Sequence, residues 1–125
     1  MKIENQVVSL KLAKELKANG YKQEGLWWWR VYIKSNEATL TMDDYCKSNP
    51  KDYIHYVAPT VAELGKKLPN KIKCPIGKAE LFLQKEFVYY AKKLKHIAIV
   101  CSELATTEAE ARAKMWLYLK KEKLI

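Results

Sequence analysis

The run Trp27-Trp28-Trp29-Arg30-Val31-Tyr32, flanked by Leu26 and Ile33, constrains the fold more than any other part of the chain. Successive side chains of a strand point to opposite faces. Trp27, Trp29, Val31 and Ile33 therefore share one face, and Trp28, Arg30 and Tyr32 the other. Both faces are rich in aromatic rings, so at least Trp28 or the Trp27/Trp29 pair needs a second covering layer, a partner or solvent. Core packing accounts for such a run. So does a partner surface formed by Trp27, Trp28, Trp29, Arg30 and Tyr32, because a Trp-plus-Arg patch suits a protein interface and exposed rings stack bases at ~1–3 kcal/mol each.

Around that strand the sequence alternates between two periods. Val8, Leu12 and Leu16 recur at helical spacing over residues 6–20, with Ser9 as N-cap, Val8 and Ala13 as a hydrophobic staple, and Asn19-Gly20 as the stop. After a turn at 35–37, residues 38–42 alternate again and predict a β-hairpin. A polar loop covers 43–52, and a third strand runs over 53–58 to Pro59, which has no N–H for a ladder. Thr60-Val61-Ala62-Glu63 is a capping box that opens a short helix ending before Pro69. Strand-like runs follow at 78–84, 87–91 and 96–103, with a weaker one at 72–76 that Pro75 confines to an edge. Their short connections predict antiparallel pairing. A second capping box, Thr107-Glu108-Ala109-Glu110, opens a final helix to about residue 123 with a stripe of Ala111, Met115, Tyr118 and Leu119. The expectation is one α+β domain over 1–125: an antiparallel sheet packed by an N-terminal, a short central and a C-terminal helix.

A chain of 125 residues with 49% hydrophobic content is long enough for a real core and does not have the composition of a disordered protein. No uncharged stretch is long enough to span a membrane, and the charges among the first seventeen residues interrupt any apolar leader core. Cys46, Cys74 and Cys101 are odd in number and lack metal-ligand spacing, which fits reduced thiols in a cytoplasm.

The net charge of +9 is concentrated. Across residues 65–95, Lys66, Lys67, Lys71, Lys73, Lys78, Lys85, Lys92, Lys93 and Lys95 face only Glu80 and Glu86, a local net of +7. This basic island is either a solvated face or an anion-binding one, with Lys66, Lys67, Lys71, Lys73, Lys92, Lys93 and Lys95 as candidate nucleic-acid contacts. Only Arg30 and Arg112 among 23 basic residues are arginine, which disfavours bidentate reading of base edges.

Catalytic chemistry finds little support. Gly20, Gly25, Gly65 and Gly77 stand singly, so no phosphate-cradling loop exists. His55 and His96 have no motif partner, Asp43-Asp44 fits a turn, and Cys101 and His96 fall on opposite faces of one predicted strand. No catalytic residue, metal or cofactor is expected.

Three segments, LAKELKANGYKQEGLWWWRVY at 12–32, APTVAELGKKLP at 58–69 and TTEAEARAKMWLYLKKEKLI at 106–125, resemble a group of small bacteriophage- and prophage-encoded proteins. That group has no assigned activity, so the resemblance implies an origin and no catalytic residues. Three functions follow as expectations. The first is a non-catalytic module that binds a protein partner or forms a homodimer through the tryptophan-bearing sheet. The second is a nucleic-acid-associated protein using the 65–95 lysines and the 27–32 strand. The third, resting on origin alone, is a small-ligand-binding counter-defence protein.

Overall fold

The computed structural model describes residues 3–42, 52–74, 77–83, 87–93 and 97–125, with backbone alone at 93 and 97–101. After a 3-10 turn at Ile3–Asn5 come α1 (Leu10–Ala18), β1 (Trp27–Tyr32), β2 (Ala38–Met42), β3 (Tyr53–Val57), α2 (Val61–Lys67), β4 (Lys71–Cys74), β5 (Gly77–Leu83), β6 (Phe87–Lys93), β7 (Ile97–Leu104) and α3 (Glu108–Lys121). The protein is α+β, and every strand pair is antiparallel. The strands divide between two sheets, ordered β2-β1-β3 and β4-β5-β6-β7, where the sequence pattern suggested one. The break falls after β3. Ala58 N–H gives a last bond to Trp27 O, and after Pro59 the chain turns into α2.

Local signals explain the helices. In α1, Ser9 is the N-cap and accepts from Leu12 N–H at 3.3 Å, while Val8 and Ala13 are both fully buried as a staple. Gly20, at φ +86°, supplies the left-handed residue that ends it. In α2 the capping box closes in both directions: Glu63 N–H donates to Thr60 Oγ1 and Thr60 N–H donates to Glu63 Oε1. The corresponding box of α3 stays half open. Glu110 N–H donates to Thr107 Oγ1, but the Glu110 carboxylate reaches back across 101 positions to accept Ser9 N–H at 2.6 Å. One side chain therefore ties the N-terminal turns of α1 and α3 together.

Helix α3 is buried on two sides. Ala109, Ala113 and Trp116 recur on one side, while Ala111, Met115 and Leu119 recur on an adjoining side, and all six are buried. Its neighbours are α1 and α2 as well as β6 and β7. Small alanines permit that close approach. The Trp116 ring meets Tyr21 edge-on at 5.1 Å, and burial pushes the Tyr21 hydroxyl up to about 12, reinforced by Glu63 and Glu24. At the α2 contact, Arg112 lies across Gly65 and donates from Nη1 to Val61 O at 2.7 Å, filling space that a Cβ at Gly65 would occupy. The core joins these helical residues to Val57 of the first sheet and to Ile72, Ala79, Val88 and Tyr90 of the second.

Replacing Glu110 by alanine leaves the Ser9 N–H without its acceptor, and the expected loss is about 1.5–3 kcal/mol, the range for a hydrogen bond to a charged group. Removing the α2 cap with Thr60→Ala is expected to cost about 1 kcal/mol. Urea unfolding with an unchanged m-value checks both, and a Glu110→Ala loss no larger than the Thr60→Ala loss would contradict the bridging role.

Candidate functional site

The first sheet resolves the two-faced tryptophan run by covering both faces at one end. Trp29 Nε1 donates to Val8 O at 2.9 Å, on the side of α1, and Trp28 Nε1 donates to Gly25 O at 3.1 Å. Both indoles pack against the core. Trp27 is half-buried beside Met42. Arg30 and Tyr32 instead project from the same face as their cross-strand partners His55 and Tyr53. The Arg30 guanidinium lies 4.6 Å from the Tyr53 ring centre, and Tyr32 and Tyr53 meet at 5.3 Å. Among the described residues, Arg30 Nε and His55 Nε2 are buried without hydrogen-bond partners.

The second sheet carries the other candidate surface. Ile72, Ala79, Val88 and Tyr90 face the core, and the Tyr90 hydroxyl donates to Pro69 O at 2.6 Å. Alternation then turns Lys71, Lys73, Lys78, Glu80, Phe82, Phe87 and Tyr89 to the outer face. Phe82 and Tyr89 are cross-strand partners whose rings stack at 5.0 Å and 7°, and Phe87 extends the ladder to Tyr89 at 5.0 Å and 30°. Beyond Phe87 its β7 partner Leu104 is 67% exposed. At the other end, Lys73 stands directly opposite Lys78, and Lys71 opposite Glu80. Like charges in that relation repel.

Only part of the basic island gathers there. Lys71, Lys73 and Lys78 share the outer face, whereas Lys66 and Lys67 lie on the last turn of α2, with Lys67 4.0 Å from Glu24. Lys92 alternates to the other face, its Nζ over Gly77. Lys93 belongs to β6 by its backbone, and Lys95 and Lys85 lie outside the described residues. Phe82, Phe87 and Tyr89 were not singled out from sequence. Their strands were legible, and Lys78 and Glu80, four and two positions ahead of Phe82, mark its face as the wet one.

Other features are quieter. The Cys74 thiol donates to Gly77 O at 3.0 Å, while Cys46, Asp43-Asp44, His96 and the Cys101 side chain lie outside what is described. Two depressions, one lined by Trp27, Arg30, Thr39, Leu40, Thr41 and Met42 and one by Leu104, Ala105, Thr106, Glu110 and Lys114, are open to solvent rather than enclosed. No described helix is long and apolar enough to cross a membrane.

Burial, then Arg30, then Lys17 hold the His55 imidazole below its ordinary value of 6.5. Below that pH the unfolded chain binds more protons here than the folded one, so His55 lowers stability on acidification and leaves it unchanged above. Arg30→Gln is expected to move the His55 midpoint up toward 6.5 in a site-resolved NMR titration and to flatten the fall of stability at acid pH. An unmoved midpoint would remove Arg30 as a cause.

No protein-family model, curated protein or solved structure matches the chain.

Proposed function

We propose that the protein is a non-catalytic binding module that takes single-stranded nucleic acid on the outer face of its second sheet. The stacked Phe82–Tyr89–Phe87 ladder, set on the same face as Lys71, Lys73 and Lys78, carries this reading. Rings on an open antiparallel sheet offer stacking partners to unpaired bases, and every base has a π-face, so such contact is sequence-tolerant. A duplex keeps its bases stacked inside and gains nothing from the ladder. The opposed Lys73 and Lys78 ammonium groups repel each other when unoccupied, and a phosphate between them relieves that repulsion. The scarcity of arginine points the same way, toward backbone attraction without base-edge readout.

A second reading, a protein partner on this face, is favoured by the exposed Leu104 across from Phe87. A phage or prophage source rests on the resemblance of the three segments, and a reducing cytoplasm on the cysteine spacing.

Fluorescence anisotropy with a short labelled mixed-sequence DNA or RNA strand tests the first reading. Three lysine–phosphate contacts give an expected slope of log K against log salt of about −2, at about −0.7 per contact for single strands. Converting Lys71, Lys73 and Lys78 to alanine should flatten that slope, whereas Tyr89→Ala should weaken binding by about 1–3 kcal/mol and leave the slope alone. Absence of binding at low salt sinks the reading and leaves the protein partner.

A further inference from the structure

The edges formed by β2, β3 and β4 are not treated alike, and backbone accounting sets β2 apart from the other two. In the antiparallel ladder of the first sheet, β1 exchanges bonds with β3 through Trp29–Tyr56 and Val31–Ile54, continued by Ile33 N–H to Asp52 O. The outward groups of β3 are therefore those of Tyr53, His55 and Val57. Side chains cover that edge: Lys17 Nζ donates to His55 O at 3.1 Å, and Val57 N–H donates to Gln23 Oε1 at 3.0 Å. On the second sheet, edge strand β4 carries Lys71 and Lys73, and charged side chains blunt an edge.

Strand β2 has neither a covering side chain nor a charge of its own among the described residues. It is an edge strand reading Ala38-Thr39-Leu40-Thr41-Met42, without charge or proline. Tyr32 N–H donates to Glu37 O, so the β1 ladder takes residues 37, 39 and 41, and the N–H and C=O groups of Ala38, Leu40 and Met42 point outward. The Thr41 hydroxyl donates to Met42 O at 2.9 Å, which leaves Leu40 with both backbone groups open among the described residues.

The geometry points to a second copy of this chain as the strand that fills that edge, β2 against β2 in antiparallel register about a two-fold axis at Leu40. A second copy fits the edge in register, and the uncharged strand and its side-chain pairs favour it. Reversal about Leu40 maps the outward set 38, 40, 42 onto itself, so Leu40 pairs with Leu40 of the other copy and Ala38 with its Met42, each in hydrogen-bonding phase. The same reversal places Thr39 opposite Thr41, a favourable cross-strand pair. It brings small Ala38 against large Met42, which is 42% exposed in the single chain. The product is one continuous six-stranded sheet, with order β3-β1-β2-β2-β1-β3. Charge is compatible as well, because the basic excess of residues 65–95 lies wholly outside the first sheet.

Sedimentation equilibrium and position-specific cross-linking test this. The wild-type chain is expected to run at twice its 14.6 kDa. Leu40→Pro removes only an outward N–H, so it is expected to halve the mass while leaving the circular-dichroism spectrum intact. Leu40→Lys serves as a second variant should the proline disturb folding. With Cys46, Cys74 and Cys101 replaced by alanine, Leu40→Cys is expected to cross-link to itself on oxidation, since hydrogen-bonded partners sit about 5.5 Å apart at Cα. Ala38→Cys should not cross-link to itself but should join Met42→Cys in a mixture. A monomeric wild type overturns the proposal. So does a folded Leu40→Pro or Leu40→Lys variant that stays dimeric, or cross-linking indifferent to position.

Discussion

Helix α3 must be covered twice. With Ala109, Ala113 and Trp116 on one side and Ala111, Met115 and Leu119 on the side adjoining it, the buried arc is shared between two packed layers. Strands β6 and β7 meet α3 from one direction, while α1 and α2 meet it from another. The Glu110–Ser9 bond then fixes how α1 sits relative to α3, and α1 in turn supplies Lys17 to the edge of the first sheet. A carboxylate that sequence pattern assigns to its own helix cap thus acts as the tie between the two ends of the chain.

Two consequences for function come from this arrangement. The second sheet packs toward α3 with one face, and its other face holds the aromatic ladder with the Lys73–Lys78 pair. Trp28 and Trp29 of the first sheet pack against the core, and among the described residues its β2 edge carries no covering side chain. The two candidate surfaces therefore lie on different sheets, a face on one and an edge on the other.

Much of the fold was legible because its signals are local. The Thr60 and Thr107 boxes, the Ser9 cap, the Asn19-Gly20 stop and the hairpin around residues 35–37 each depend on neighbours a few positions away. The partition into two sheets was not legible, because alternation tells which residues share a face and never which strand lies beside which. The second burial side of α3 was hidden for a related reason. Alanine at 109 and 113 is equally at home in a solvated or a packed helix, and Trp116 falls outside the stripe that runs through Met115 and Leu119. At the candidate site, Phe87 and Tyr89 alternate with Val88 and Tyr90, so apolar residues occupy both sides of β6 and its phase cannot be read alone. Pairing with β5, where Lys78 and Glu80 declare the wet side, settles it.

The strong net charge bears on how such a chain could self-associate. At physiological ionic strength, exposed charges are screened beyond about 8 Å, so repulsion between copies matters mainly where like charges come close. Backbone pairing along an uncharged strand avoids that contact, whereas pairing through the lysine-bearing face of the second sheet would press Lys71, Lys73 and Lys78 of two copies together. Association through β2 and polyanion binding on the lysine-bearing face would therefore fall on different sheets. A two-fold pair joined at β2 would also carry two copies of the ladder on one rigid body. A single strand long enough to reach both would then bind the second in an intramolecular step, raising avidity without any new contact.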